Sequence, residues 1–216
     1  MSVDVLNEIA AQARVCQKCA LQYSRKNAVA GNGPAASEIM FIGEAPGFHE
    51  NEKGLPFVGA AGKFLDELLE GCGLSRERVF ITNVVKCRPP GNRDPQPEEL
   101  SACSNYLDRQ IEAIDPLVIV TLGRFSMARY LPDAKISDIH GQPKWIHNRL
   151  IVPMYHPAAA LHQPKWRPVL LEDFARLPEF IKDARKNKPL STPKATPTAS
   201  GGTETNDDEP EQLSLF

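Results

Sequence analysis

Four cysteines are the most chemically specific residues in the chain. Cys16-Gln17-Lys18-Cys19 forms a CxxC pair, and Cys87 and Cys103 follow much later. Four thiolates complete one tetrahedral sulfur site, which suits zinc and iron-sulfur centres alike, so the spacing alone leaves the metal open. The total of five cysteines is odd, which argues against a disulfide framework. The fifth, Cys72, sits at the Gly-rich end of a helical stretch and reads as a small buried thiol. Two further groups stand where short apolar runs end: Gly43-Glu44-Ala45-Pro46-Gly47 and Tyr155-His156-Pro157-Ala158. Carboxyl ends of strands are where α/β proteins place ligands, and a Gly-bounded turn lets backbone approach a flat one. Taken singly, each also reads as an ordinary turn or a hydrogen-bonded structural histidine.

The elements that must position these residues alternate. Apolar strands are predicted at Ile39 to Ile42, Val79 to Thr82, Leu117 to Leu122 and Leu150 to Pro153, with helices or loops between them, which implies an α/β domain with a mainly parallel sheet. Phe64, Leu65, Leu68 and Leu69 share one face of a helix that Gly71 and Gly73 stop. A second helix is expected from Pro97 to about Ile114, and an amphipathic one from Asp173 to Arg185. From residue 187 the composition turns to Pro, Ser, Thr, Gly and acids, giving a domain over 1–186 and a disordered tail over 187–216.

The chain's 216 residues suffice for one ordinary core. Its net charge of -2 includes an acidic tail, which leaves the body close to neutral, so phosphate contacts would have to come from local patches. The longest apolar runs are strand-length, far short of a membrane span, and no basic-then-apolar leader pattern is present. A cytoplasmic, non-membrane protein acting as a monomer is the expectation.

The GEAPG turn, the loop Gly54-Leu55-Pro56-Phe57-Val58-Gly59, the segment Thr82-Asn83-Val84-Val85-Lys86-Cys87-Arg88-Pro89-Pro90 and His156-Pro157-Ala158-Ala159 occur in this order together with the four cysteines. This combination closely resembles the family 4 uracil-DNA glycosylases over roughly residues 10 to 182. The resemblance implies a three-layer fold with a central parallel four-stranded sheet. It also implies a 4Fe-4S cluster on Cys16, Cys19, Cys87 and Cys103, and hydrolysis of uracil from DNA to leave an abasic site, the first step of base excision repair.

Such an enzyme must swing its base out of the duplex and replace the lost stacking in a pocket. On that reading Phe57 stacks on the extruded uracil, and the Asn83 amide pairs with its O4 and N3–H, an edge cytosine does not offer. Neutral His156 donates to the departing uracil anion, while Glu44 and the backbone of Gly43 and Ala45 border the sugar and the attacking water. Ala45 stands where better-known relatives of this superfamily carry a water-activating aspartate. Gly47 replaces their tyrosine that blocks the thymine methyl. Lys86, Arg88 and Arg93 are expected to grip DNA, and Leu161 to wedge into the vacated stack, although the motif lacks the family's usual Leu-Leu-Arg ending.

The last residues, with Gln212, Leu213, Leu215 and Phe216, resemble the peptide that docks on the bacterial sliding clamp. Two rival readings remain from the sequence. One is a damage sensor that binds or covalently traps uracil-DNA without turnover; His140 lies in the relevant region, but no Arg-rich run precedes it. The other is a zinc or redox protein with a flavodoxin-like sheet.

Overall fold

The computed structural model describes residues 2–187; Asn187, expected to open the tail, ends a helix instead, and the rest of the tail with its terminal peptide lies outside the described residues. Along the chain run α1 (Ser2–Arg14), β1 (Ile39–Gly43), α2 (Phe48–Lys53), α3 (Ala60–Gly71), β2 (Phe80–Asn83), α4 (Pro97–Ile114), β3 (Val118–Leu122), α5 (Arg124–Ala128), α6 (Ile136–Ile139), β4 (Lys144–Ile146), β5 (Arg149–Met154), α7 (Pro157–His162), α8 (Trp166–Ala175) and α9 (Leu177–Asn187).

The strands form one sheet in the order β2-β1-β3-β5-β4. The four apolar strands expected from the sequence pair in parallel, with β1 between β2 and β3 and with β5 on the far side of β3. Every β1 and β3 residue is buried, as a sheet covered on both faces requires. Alternation divides them between two cores. Ile39, Phe41, Val118 and Val120 face Phe64, Leu68, Phe174 and Ile181 of α3, α8 and α9. Met40, Ile42, Ile119 and Ile151 face Ile9, Leu107 and Ile114 of α1 and α4. The result is three layers, helix on sheet on helix.

Two expectations need correction. The sheet is mixed and five-stranded, because β4 adds an antiparallel edge to β5. Its sequence, Lys144-Trp145-Ile146, is short, and its first two residues are exposed, so it lacks the apolar run by which the buried strands were recognised. A two-residue connection, His147-Asn148, joins it to β5, with His147 at φ +52°. Primed hairpin turns need such positive φ, but usually announce themselves by Asn-Gly or Asp-Gly. The C-terminal helix is also two helices: α8 ends at Ala175 and α9 begins at Leu177. Pro178 fits the first turn of a new helix but would leave a carbonyl unpaired inside a continuous one.

Candidate active site

The parallel strands end on one side of the sheet, and their carboxyl ends carry the motifs. Gly43 pairs with Asn83 in register across β1 and β2, while Tyr155 and His156 leave β5 two strands away. The crevice outside these ends is an open cleft of about 540 Å³. Glu44, Ala45, Phe57, Asn83 and His156 all line it, so positions scattered over more than a hundred residues meet in one place.

Asn83 is buried, and its Oδ1 has no hydrogen-bond partner among the described residues. An orphaned buried acceptor at a cleft wall is costly unless a ligand donor completes it. A Cβ on Gly43 would stand 2.4 Å from this oxygen and 2.7 Å from the Phe57 ring, so only glycine allows β1, Asn83 and Phe57 to converge.

The Phe57 ring is buried against His156, with ring centroids 5.5 Å apart and planes inclined by 28°. His156 caps α7 and its Nδ1 accepts the Ala158 N–H at 3.1 Å. That acceptor role leaves the proton of a neutral imidazole on Nε2. Burial depresses the His156 pKa to about 4, opposed only by the Glu50 carboxylate, so the ring is neutral at physiological pH. For Glu44, burial and then the nearby Asp94 carboxylate raise the pKa, while Arg124 partly offsets them.

Sequence reasoning missed Glu50, which fastens the cleft's two loops together. Its Oε1 accepts the Val58 and Gly59 N–H groups at 2.8 Å each, and its Oε2 accepts that of Gly47 at 3.1 Å. A Glu three residues after a glycine turn was its only local signal. Asp94 and His162 also line the cleft, and Arg124 pairs with Asp94 beside Glu44.

The expected DNA contacts fall in different surroundings. Lys86 must be withdrawn. It is buried, and its Nζ donates inward to Thr82 Oγ1 (2.7 Å), the Asn83 carbonyl (2.8 Å) and Gln110 Oε1 (2.7 Å), out of reach of a phosphate. Burial lowers its pKa to about 7. Arg93 lines the cleft, but its guanidinium forks onto the buried Glu99 at 2.9 and 2.6 Å. Arg88 donates to Asn92 Oδ1, a cleft residue, at 2.7 Å and lies over the exposed Phe48 ring. Leu161 is exposed on α7, beside the cleft residue His162. His140 is not among the cleft residues: its Nδ1 lies 2.7 Å from Asp173 Oδ2 and its ring packs on Tyr155.

Cys16 and Cys19 follow α1, Cys87 follows β2, and Cys103 lies in α4, yet all four line one cavity between these elements. None is in a disulfide. The Lys86 N–H donates to Cys103 Sγ at 3.2 Å, and Arg25 Nη1 stands 3.7 Å from Cys87 Sγ. Among the described residues no group of three or more His, Cys, Asp or Glu is arranged to hold a metal ion. Cys72 is buried elsewhere, its Sγ donating to the Leu69 carbonyl, as a structural thiol would. No helix among the described residues is long and apolar enough to cross a membrane.

Within this three-layer α/β domain, residues 30–183 match the model of the uracil DNA glycosylase superfamily. The chain is 50% identical over 199 residues to a type-4 uracil-DNA glycosylase of Saccharolobus solfataricus, covering 88% of this chain and 90% of that one. Similar proteins of the same description from Archaeoglobus fulgidus (46% over 188 residues, 82% and 94%) and Thermotoga maritima (40% over 184 residues, 83% and 96%) extend the likeness. The chain belongs to the type-4 branch of the uracil DNA glycosylase superfamily.

Proposed function

We propose that this protein is a monofunctional uracil-DNA glycosylase that receives an extruded uracil in the cleft, hydrolyses its N-glycosidic bond and leaves an abasic site. The unpartnered Asn83 Oδ1 carries the reading, because it is a buried acceptor beside an aromatic ring and a neutral imidazole. Uracil N3–H satisfies it and O4 takes the amide N–H; cytosine presents a lone pair and a donor instead. Phe57 supplies the stacking face. As the bond from C1′ to N1 breaks, negative charge spreads onto uracil O2, where a His156 Nε2–H stabilises it without first having to lose a proton. Water adds its hydroxyl to C1′, and its proton passes to the Glu44 carboxylate.

The four cysteines are read as the ligands of an iron-sulfur cluster. They line one cavity, and a set of thiolates alone is the donor set such a cluster takes. On this reading Cys16, Cys19, Cys87 and Cys103 hold a 4Fe-4S cluster. Bound there, it ties the segment after α1 to the loop after β2 and to α4, contributing folding energy rather than electrons. Arg88 and Leu161 on α7 are assigned to DNA contact and to wedging. The terminal peptide with Gln212, Leu213, Leu215 and Phe216 docks on a bacterial sliding clamp.

Anaerobically purified protein incubated with a uracil-containing oligonucleotide tests the activity. Free uracil and an abasic site are expected; a covalent adduct or an unchanged strand would refute turnover. Clamp docking is tested by pull-down of the full chain against one truncated after Glu211, and equal retention would refute it.

A further inference from the structure

Phe57 holds its ring in the cleft by means of a backbone that resists its own side chain. Its φ is +52°, a left-handed conformation that bulky residues seldom adopt and that must be imposed from outside. Two charged side chains clamp the segment. From the cleft side, the Glu50 carboxylate takes the N–H groups of Val58 and Gly59. From the other side, Arg76 takes the carbonyls: Nη1 donates to Pro56 at 3.0 Å and Nη2 to Phe57 at 2.5 Å. Its Nε donates to Asp66 Oδ1 on α3 at 2.9 Å, which anchors the fork to a helix of the core.

Gly62 of α3 completes the clamp. A Cβ there would stand 1.9 Å from the Phe57 oxygen and 2.2 Å from its carbonyl carbon, so the strained peptide lies directly on the helix. Arg76 itself lines a separate surface depression with Pro56 and Asp66 and is not among the residues of the active-site cleft. Its path to the base therefore runs through the Pro56–Phe57 backbone that it holds.

We propose that Arg76 is a positioning residue for base stacking: with Asp66 and Gly62 it locks the Phe57 peptide left-handed, and so presents the ring to the extruded uracil. The proposal rests on the reading of Phe57 as the stacking ring. The Arg76 side chain is 24% exposed, so water can reach the two carbonyls when it is removed. Water has no tether to α3, however, and cannot hold the peptide in place.

The test is a double-mutant cycle on uracil release and on inhibition by free uracil. Arg76→Met is expected to lower kcat/KM about tenfold and to weaken uracil inhibition to a similar extent. In a Phe57→Ala background the same substitution should change either quantity by less than about twofold, because no ring remains to be placed. Arg76→Lys should restore part of the loss, since an ammonium reaches a carbonyl without reproducing the planar fork. Equal losses in both backgrounds, or a loss that disappears once melting temperatures are matched by cooling, would overturn the proposal. If Arg76→Met does not fold, Asp66→Asn enters the same cycle, with a smaller coupling of the same sign expected and additivity overturning the idea. Full activity in Phe57→Ala alone would instead remove the stacking role beneath it.

Discussion

Between about pH 7.5 and pH 5 an ordinary histidine passes from almost wholly neutral to almost wholly charged, and His156 is expected not to. Burial places its pKa at about 4 against a usual 6.5, a displacement that corresponds to about 3 kcal/mol. The sign follows from proton counting. Between about pH 6.5 and 4 the unfolded chain binds a proton at this residue that the folded one refuses, so stability is lost at His156 as the pH drops through that window and is unaffected by it above. At pH 5 only about one-tenth of the folded molecules carry the proton. The Ala158 N–H therefore keeps its acceptor, and Nε2 keeps the single proton it donates. Glu44, whose pKa burial raises, is a second titratable group in the cleft and would obscure the rate profile. Glu44→Gln removes that titration. Its residual single-turnover rate should stay within about twofold from pH 7.5 to 5, whereas an ordinary histidine acting in its neutral form would lose about thirtyfold. Imidazole NMR gives the direct reading: the resonance that disappears in His156→Asn should remain in its neutral position at pH 5. A midpoint near 6.5 in either measurement would refute the account of how this side chain is held neutral.

Other perturbations separate chemistry from scaffold. Gly43→Ala places a methyl group against Asn83 Oδ1 and the Phe57 ring; kcat/KM should fall at least about a hundredfold while Tm drops by less than about 10 °C, and near-normal kinetics would show that the crowding is relieved elsewhere. Cys87→Ala should remove the visible absorbance of the cluster and lower both iron content and thermal stability; an unchanged spectrum would overturn the ligand set. Arg88→Ala should reduce the salt slope of single-stranded DNA binding, read by fluorescence anisotropy, by roughly 0.7, whereas Lys86→Met should leave that slope unchanged and lower stability instead. A comparable slope change for Lys86 would contradict its inward orientation.

By itself the sequence determined whatever depends on neighbours along the chain. The apolar runs at Ile39, Phe80, Val118 and Leu150 lie in strands because fully buried parallel strands need no polar alternation. The helix expected from Pro97 to about Ile114 has those bounds, its start fixed by a proline in the first turn. The GEAPG turn, Asn83 and His156 were legible as candidates because each stands directly after such a run. Tertiary structure decided what those candidates meet. Strand order places the ends of β1, β2 and β5 around one cleft, and no local pattern encodes that order. Whether a lysine faces solvent or core depends on what lies above it: Lys86, read as a phosphate contact from its place beside Arg88, is claimed by Gln110 of α4 and by Thr82. Glu50 and Arg76 were invisible because their partners are backbone groups of a distant loop, and any residue type can supply a carbonyl or an N–H. Short-range propensity can thus name a strand or a turn, but the pairing of a charged side chain with remote backbone exists only after the layers have packed.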